Sequence, residues 1–419
     1  MKLSPFLPRL LAIVALFASA LSCSENLDSS GVCSVLCPPI GGDVQNITLD
    51  AVVLDTAVPA LSGLGTEPAL LLASRGDSLD TRVIIRFDTL PPTFTPTGDT
   101  LQTIQSVDSA YIQFRLDTLA TKGSDPVTIE AYDVDTTAND TSTAAVLALF
   151  RPDRFISSQT FERAALRDTV KYFISNAVVL AKIQSSSNLR IGLRATTTGS
   201  SQILIRSTES GQGPVLSFRA TPDTNTKPLT TVPVSQTPAG DPIVASDLAD
   251  YTVVAKAPPP APGSVLAVGG LPSRRTYFRF DIPSSIIDST TVIRATLLLN
   301  QISNPALDPT DTVLIIPQVV LAGKVVTDPV KASQIIAGVS TDTLKLKPGQ
   351  SGTTNVELVS AFNLWRTQQP DTLPRAIVLK RVREGESPLE IRFSSSEDIA
   401  ALRPRLRISY TPRVPLGLP

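Results

Sequence analysis

Histidine is absent from all 419 residues. That removes the side chain that titrates near neutrality, and with it the commonest general base and transition-metal ligand. Ser–His–Asp and Cys–His hydrolytic machinery is excluded outright, as are zinc sites built on imidazole. Charge is sparse too: charged residues make up 18%, and 37 Lys and Arg stand against 38 Asp and Glu for a net charge of −1. Such a balance offers no basic stripe to a nucleic-acid backbone, so no nucleic-acid partner is expected. Aromatic residues reach only 5%, with one Trp and six Tyr, which leaves few rings for a sugar-stacking platform.

What is present reads as β-structure. Hydrophobic residues make up 42%, enough to build cores and to exclude wholesale disorder. The length suits two domains plus tails rather than one core. The 35 prolines, with scattered Thr, Ser and Asp, punctuate many short strands with turns.

The first residues predict an export signal over 1–22. Lys2 and Arg9 precede an apolar run, Leu10–Ala20, too short to span a bilayer and suited to a signal core. Ala20-Leu21-Ser22-Cys23 closes it. Small residues before a Cys resemble the lipobox of bacterial lipoproteins, although Leu is more usual where Ala20 stands. The resemblance implies cleavage before Cys23 and a diacylglycerol on its thiol, hence a membrane partner through the lipid. An ordinary secretory signal is the alternative. Ser24, rather than Asp, would in the enterobacterial pattern imply the outer membrane. Residues 23–47 read as a tether. Within it Cys33 and Cys37 either pair as a tight local disulfide or stay free. A metal would need two more ligands that no His or further Cys supplies.

Two stretches organise the remainder. Thr81–Pro91 and Arg274–Pro283 each hold an Arg-Phe-Asp that ends an alternating strand. Val83, Ile85 and Phe87 share one face, with Arg82 and Arg86 opposite; Thr276, Phe278 and Phe280 share another, opposite Arg275, Tyr277 and Arg279. Further strands recur in the same order. Ala110, Ile112, Phe114 and Leu116 alternate as Ala295, Leu297 and Leu299 do. Val127–Tyr132 answers to Val313–Ile316, and Asn188–Arg194 to Arg375–Lys380. Ile203–Glu209 with Pro214–Phe218 closes the first copy, as Ile391–Glu397 with Pro404–Tyr410 closes the second. The predicted domains span 48–220 and 248–412, with a Thr- and Pro-rich linker at 221–247 and a tail at 413–419. Short helices are expected over 143–150, 176–183 and 356–367, the last with Trp365 on its apolar side.

These motifs resemble the DNRLRE-type, carbohydrate-binding-module-like domain of secreted bacterial proteins, in two tandem copies. The second copy carries the pattern more fully, including Leu266-Ala-Val-Gly269; the first lacks that Gly. The resemblance implies an all-β chain of two jelly-roll-like β-sandwiches, and suggests extracellular polysaccharide as partner.

Several residues are candidates for a site. Arg86 and Arg279 occupy equal places, as do Glu209 and Glu397. An Arg–Glu pair in each copy would either hold a ligand or, as the preferred reading, tie the early strand to the late one as a structural ion pair. Tyr111 and Tyr277, with Tyr132 and Tyr251, fall on polar faces or strand edges where a ring could stack on a sugar or simply cover the sheet. Asp133, Asp135 and Asp140 cluster as in a calcium loop, but without its turn Gly and distal Glu, so turn capping is the favoured reading and no metal is expected. Asp117, Glu130 and Asp133 could serve carboxylate chemistry, yet nothing sets two of them across a cleft. The expectation is a non-catalytic, cofactor-free binding protein of the cell surface, the alternative being an adhesion or assembly subunit that binds protein through its sheet faces.

Overall fold

A computed structural model describes residues 43–60, 65–97, 100–123, 126–136, 142–221, 227–235, 248–305, 308–338, 342–367 and 373–413. The expectations for the leader, Cys23, Cys33, Cys37 and Asp140 lie outside these residues.

The chain is all-β with a few short helices, and builds two jelly-roll-like sandwiches around separate cores. In the first, one layer runs in spatial order through Phe155–Phe161, Val127–Asp133, Leu189–Thr196, Leu79–Phe87, Ala69–Arg75 and Ser201–Arg206. The facing layer runs through Thr169–Phe173, Val107–Arg115, Val215–Ala220 and Leu229–Thr231. Period-two patterning places Val83, Ile85 and Phe87 against Ile112, Phe114 and Phe218 from the facing layer. The second sandwich repeats this with Phe278, Phe280, Leu297, Ile391 and Leu406. There the layers join at one corner, because the long strand Thr290–Ile302 pairs with both Arg405–Pro412 and Glu390–Ser394.

The repeat boundaries differ from the sequence expectation. The segment Gln45–Leu49 and Val52–Pro59 belongs to the second sandwich: the first strand pairs with Arg405–Pro412 and the next with Arg274–Phe280. In return, Asp250–Lys256 pairs with Leu79–Phe87 in the first. Each repeat thus donates its leading strand to the other. The registers are equivalent, since Asp55 lies opposite Phe278 and Asp250 opposite Ile85, two residues before the paired Phe280 and Phe87. Asp55 accepts bonds from the backbone N–H and hydroxyl of Ser396, at 2.6 and 2.6 Å. Asp250 does the same for Thr208, at 2.9 and 2.7 Å. The linker is also corrected. Leu229–Thr231 extends the smaller layer of the first sandwich, because Leu216 and Phe218 leave an edge there for it to pair with.

A thin third layer covers the back of each larger sheet. In the first sandwich the helix Thr143–Leu147 lies over Ile84, Tyr132 and Tyr251. In the second, Pro329–Ala332 lies over Tyr277, Val320 and Val378. The other expected helices form at Asn176–Gln184 and Val359–Thr367, with Trp365 in the core; Val356 belongs instead to the strand Gly352–Glu357.

Asp250 is fully buried. Burial, reinforced by the Glu209 carboxylate, pushes its carboxyl up from 3.8 to about 7, against the bonds from Thr208. Glu67, also raised chiefly by burial, feels Glu209 as well. The folded state therefore holds the Asp250 proton more tightly than the unfolded chain. Its stabilising contribution is full below about pH 4 and is lost as pH rises through about 7. Asp250→Asn keeps an acceptor for Thr208 and removes the charge. The variant is expected to match the native chain near pH 4 and to exceed it in thermal midpoint at pH 8. A midpoint difference constant across that range would refute the assignment.

Candidate functional site

The solvent face of the smaller sheet in the first sandwich carries the most ligand-like arrangement of side chains. Two of its strands alternate strictly. Ala110, Ile112 and Phe114 point inward while Tyr111, Gln113 and Arg115 point outward; Val170 and Tyr172 point inward while Thr169, Lys171 and Phe173 point outward. Antiparallel register sets Phe173 directly opposite Tyr111 and Lys171 opposite Gln113. On the other flank Ser217 lies opposite Tyr111 and Val215 opposite Gln113.

The two rings meet with centroids 5.9 Å apart and planes 59° apart. The Lys171 ammonium sits 4.6 Å from the Tyr111 ring centroid, within cation–π range. Phe173 is 56% exposed, an unusual position for so apolar a ring. Its neighbour Tyr172 points the opposite way and is fully buried. The Tyr172 hydroxyl donates to the carbonyl of Ser157 at 2.8 Å, and burial pushes it up to about 12. Hydropathy alone would have placed the Phe inside and the Tyr outside; the core-facing Val170 and Leu166 fix the alternation instead. Arg115 lies at the end of the platform, opposite Thr169. Neither Arg115 nor Lys171 has a carboxylate partner among the described residues. The result is an open aromatic pair flanked by amide, hydroxyl and cationic groups.

Of the residues singled out from sequence, Tyr111 alone lies on this face. Phe173 and Lys171 were missed there. Their signal was a short alternating strand, Thr169–Phe173, with an aromatic residue in phase with its charged ones. Among the described residues the second sandwich has no counterpart: Thr296 stands where Tyr111 does, and lies opposite Glu357.

The other candidates lie elsewhere. Arg86 is 3% exposed and faces the third layer, donating to Ser235 Oγ at 3.1 Å and to the Tyr251 hydroxyl at 3.2 Å. Tyr277 is 3% exposed beneath Pro329–Ala332, so neither it nor Arg86 faces solvent. Arg279 is exposed but lies opposite Leu54 of the exchanged strand. Neither an Arg86–Glu209 nor an Arg279–Glu397 ion pair forms among the described residues. Both glutamates follow the last turn of their strands and face outward, whereas the arginines lie along a strand edge covered by the exchange.

The buried pairs that tie early to late strands are others. Asp88 takes a bidentate Arg190, with Nε to Oδ1 at 2.8 Å and Nη2 to Oδ2 at 2.7 Å. Arg275 grips Glu384 at 2.8 and 2.7 Å. Tyr132 and Tyr251 are buried. Asp133 and Asp135 share the Lys182 ammonium at 3.0 and 3.2 Å. Asp117 pairs with Arg206 at 3.1 Å, and Glu130 accepts from the Tyr132 hydroxyl at 2.9 Å. These carboxylates are thus engaged in separate contacts.

No protein family and no curated protein matches the chain. Among solved structures, the Macrobrachium rosenbergii nodavirus aligns at 6% identity over 89% of this chain and 91% of that one, with a TM-score of 0.14. The infectious bursal disease virus Gt strain aligns at 10% identity over 88% and 77%, with a TM-score of 0.12. Similarity at that level carries no weight for fold or function. No helix among the described residues is long and apolar enough to cross a membrane.

Proposed function

We propose that this chain is a non-catalytic, exported lipoprotein, anchored through Cys23 at the outer membrane or cell surface, that binds extracellular polysaccharide on the Tyr111–Phe173 face. The observation that carries the reading is the exposed aromatic pair. An apolar ring kept at 56% exposure on a regular sheet is left with a surface to cover, and sugar rings present matching C–H faces. Gln113, Thr169, Lys171 and Arg115 supply hydrogen-bond groups around the rings, as a hydroxyl-rich ligand requires. The DNRLRE-type resemblance of the sequence points the same way by analogy.

Affinity electrophoresis tests the assignment. The native chain should be retarded in gels cast with at least one acidic or neutral glycan. Tyr111→Ala with Phe173→Ala should weaken retardation about tenfold, since each lost aromatic contact is worth roughly 0.5–1.5 kcal/mol. Neither ring belongs to the hydrophobic core, so the variant should stay folded, its unfolding midpoint lowered only by the loss of the cross-strand ring pair. Migration unaffected by every glycan would favour the adhesion reading, in which the same face covers a protein.

A further inference from the structure

A cleft between the two sandwiches shares no residue with the Tyr111–Phe173 face. Its volume is about 450 Å³. Small-molecule sites span roughly 300–1,000 Å³ and favour boundaries between domains. The first sandwich contributes Leu71 and Leu204, which lie opposite each other in register, and Lys122 from the short strand beside them. The second contributes Arg381, at the end of the strand Ala376–Arg381, and then Glu386 and Leu389. The three leucines are buried. Ion pairs fix the two walls relative to each other. Arg383 Nη1 lies 3.5 Å from Asp117 Oδ2, and Lys122 pairs with Asp311. Arg75 reaches Asp308 at 3.9 Å, and Gln202 donates to the same carboxylate at 3.3 Å.

Two features of this cleft lack a complement. The first is Glu386, only 4% exposed. Its Oε2 lies 3.6 Å from Arg383, but its Oε1 has no hydrogen-bond partner among the described residues. A buried oxygen left in that state is costly, and what it lacks is a donor. Burial raises this carboxyl above its ordinary range, against the Arg383 and Arg381 charges.

The second is a pair of facing cations. Arg381 is partly buried and donates through Nη1 to the Ser387 carbonyl at 2.9 Å. It has no carboxylate within ion-pair distance among the described residues. Lys122 approaches it from the other sandwich. Burial lowers the Lys122 ammonium, the Asp308 charge opposes this, and the Arg381 charge lowers it further. An anion between the two cations would relieve their repulsion.

We propose that the cleft binds a small zwitterion of the α-amino-acid class with an aliphatic side chain. Its carboxylate lies between Lys122 and Arg381, its ammonium on Glu386 Oε1, and its side chain against Leu71, Leu204 and Leu389. A simple anion would leave Glu386 without a donor, and an amine would leave the cations without an acceptor. Because both sandwiches line the site, the bound ligand also stabilises their contact.

Isothermal titration of the full native chain with L-leucine tests this, beside analogues that each lack one part. These are 4-methylpentanoate without the ammonium, 3-methylbutylamine without the carboxylate, and glycine without the side chain. Leucine should bind saturably. Each analogue should bind at least about tenfold more weakly, the loss expected for one charge-assisted hydrogen bond or one buried side chain. Glu386→Gln should weaken leucine and leave 4-methylpentanoate unchanged. Arg381→Gln should weaken both and leave 3-methylbutylamine unchanged. The analogue series uses the native chain, so it decides the matter even where a variant fails to fold. Absence of saturable leucine binding would overturn the proposal, as would 4-methylpentanoate or 3-methylbutylamine binding as tightly as leucine.

Discussion

Cutting the chain between its repeats is expected to leave them joined. A protease site inserted within residues 236–247 divides the sequence before the strand Asp250–Lys256. The amino-terminal fragment then carries Val52–Pro59, which completes the second sandwich, while the carboxy-terminal fragment carries Asp250–Lys256, which completes the first. Separation would strip both larger sheets of a strand. It would expose Ile84 and Val253 of the first and uncover Tyr277 of the second, all buried in the intact protein. It would also break the small apolar contact of Leu71, Leu79 and Leu204 with Leu271, and the Asp117–Arg383 bridge at 3.5 Å. The fragments should therefore co-elute in size-exclusion chromatography and dissociate only in denaturant. They should unfold in one transition observed equally by probes in either sandwich. Two independent domains on a string would separate once cut, and that outcome would refute the exchange. Because the exchange couples both cores, a core substitution in one sandwich should also lower the unfolding midpoint of the other.

Arg190→Ala is expected to be among the most damaging single substitutions in the first sandwich. The Asp88 side chain is wholly excluded from solvent and Arg190 is its bidentate partner. Removing the guanidinium takes the bidentate partner away from a buried carboxylate, which costs about 3–5 kcal/mol, far more than an exposed pair is worth. The pair also spans Leu79–Phe87 and Leu189–Thr196, where Arg190 sits opposite Arg86 in register, so its loss frees the end of the strand that accepts the exchanged segment. Replacing both members by apolar residues, Asp88→Leu with Arg190→Met, should recover most of the loss, because the two buried charges leave together and Asp135 keeps Lys182. Chemical denaturation of the two variants checks this. Equal destabilisation by the single and the double change would refute the account in which the buried charge sets the cost. The exposed Arg294–Glu357 contact, at 3.3 Å, serves as a control whose removal should change stability by less than about 1 kcal/mol.

How far the site was legible follows from the same strands. Tyr111 could be placed on a polar face because Ala110, Ile112 and Phe114 mark the inward phase around it. Phe173 could not be weighed with it, since the pairing of Thr169–Phe173 with Val107–Arg115 joins segments far apart in sequence. Tyr277 satisfied the same local rule as Tyr111 and still failed. Alternation specifies which side of a sheet a residue takes, but not whether a third layer covers that side. Arg86 failed for the same reason, sealed by Tyr251 from the exchanged strand. The Arg–Glu pairing failed because the real partners, Arg190 and Glu384, lie on late strands and hairpins that give no local sign of being within reach.

The sequence by itself determined the strand content, the inward faces through Phe87 and Phe280, and the duplicated order of segments. Those properties are local: a two-residue period and a turn residue act on neighbours along the chain. Only the tertiary structure decided which sandwich each leading strand completes, which of the outward faces stays open, and which charges become buried partners. Backbone hydrogen bonds on two equivalent edges are indifferent to sequence. The choice between them fell to the closing of two cores at once.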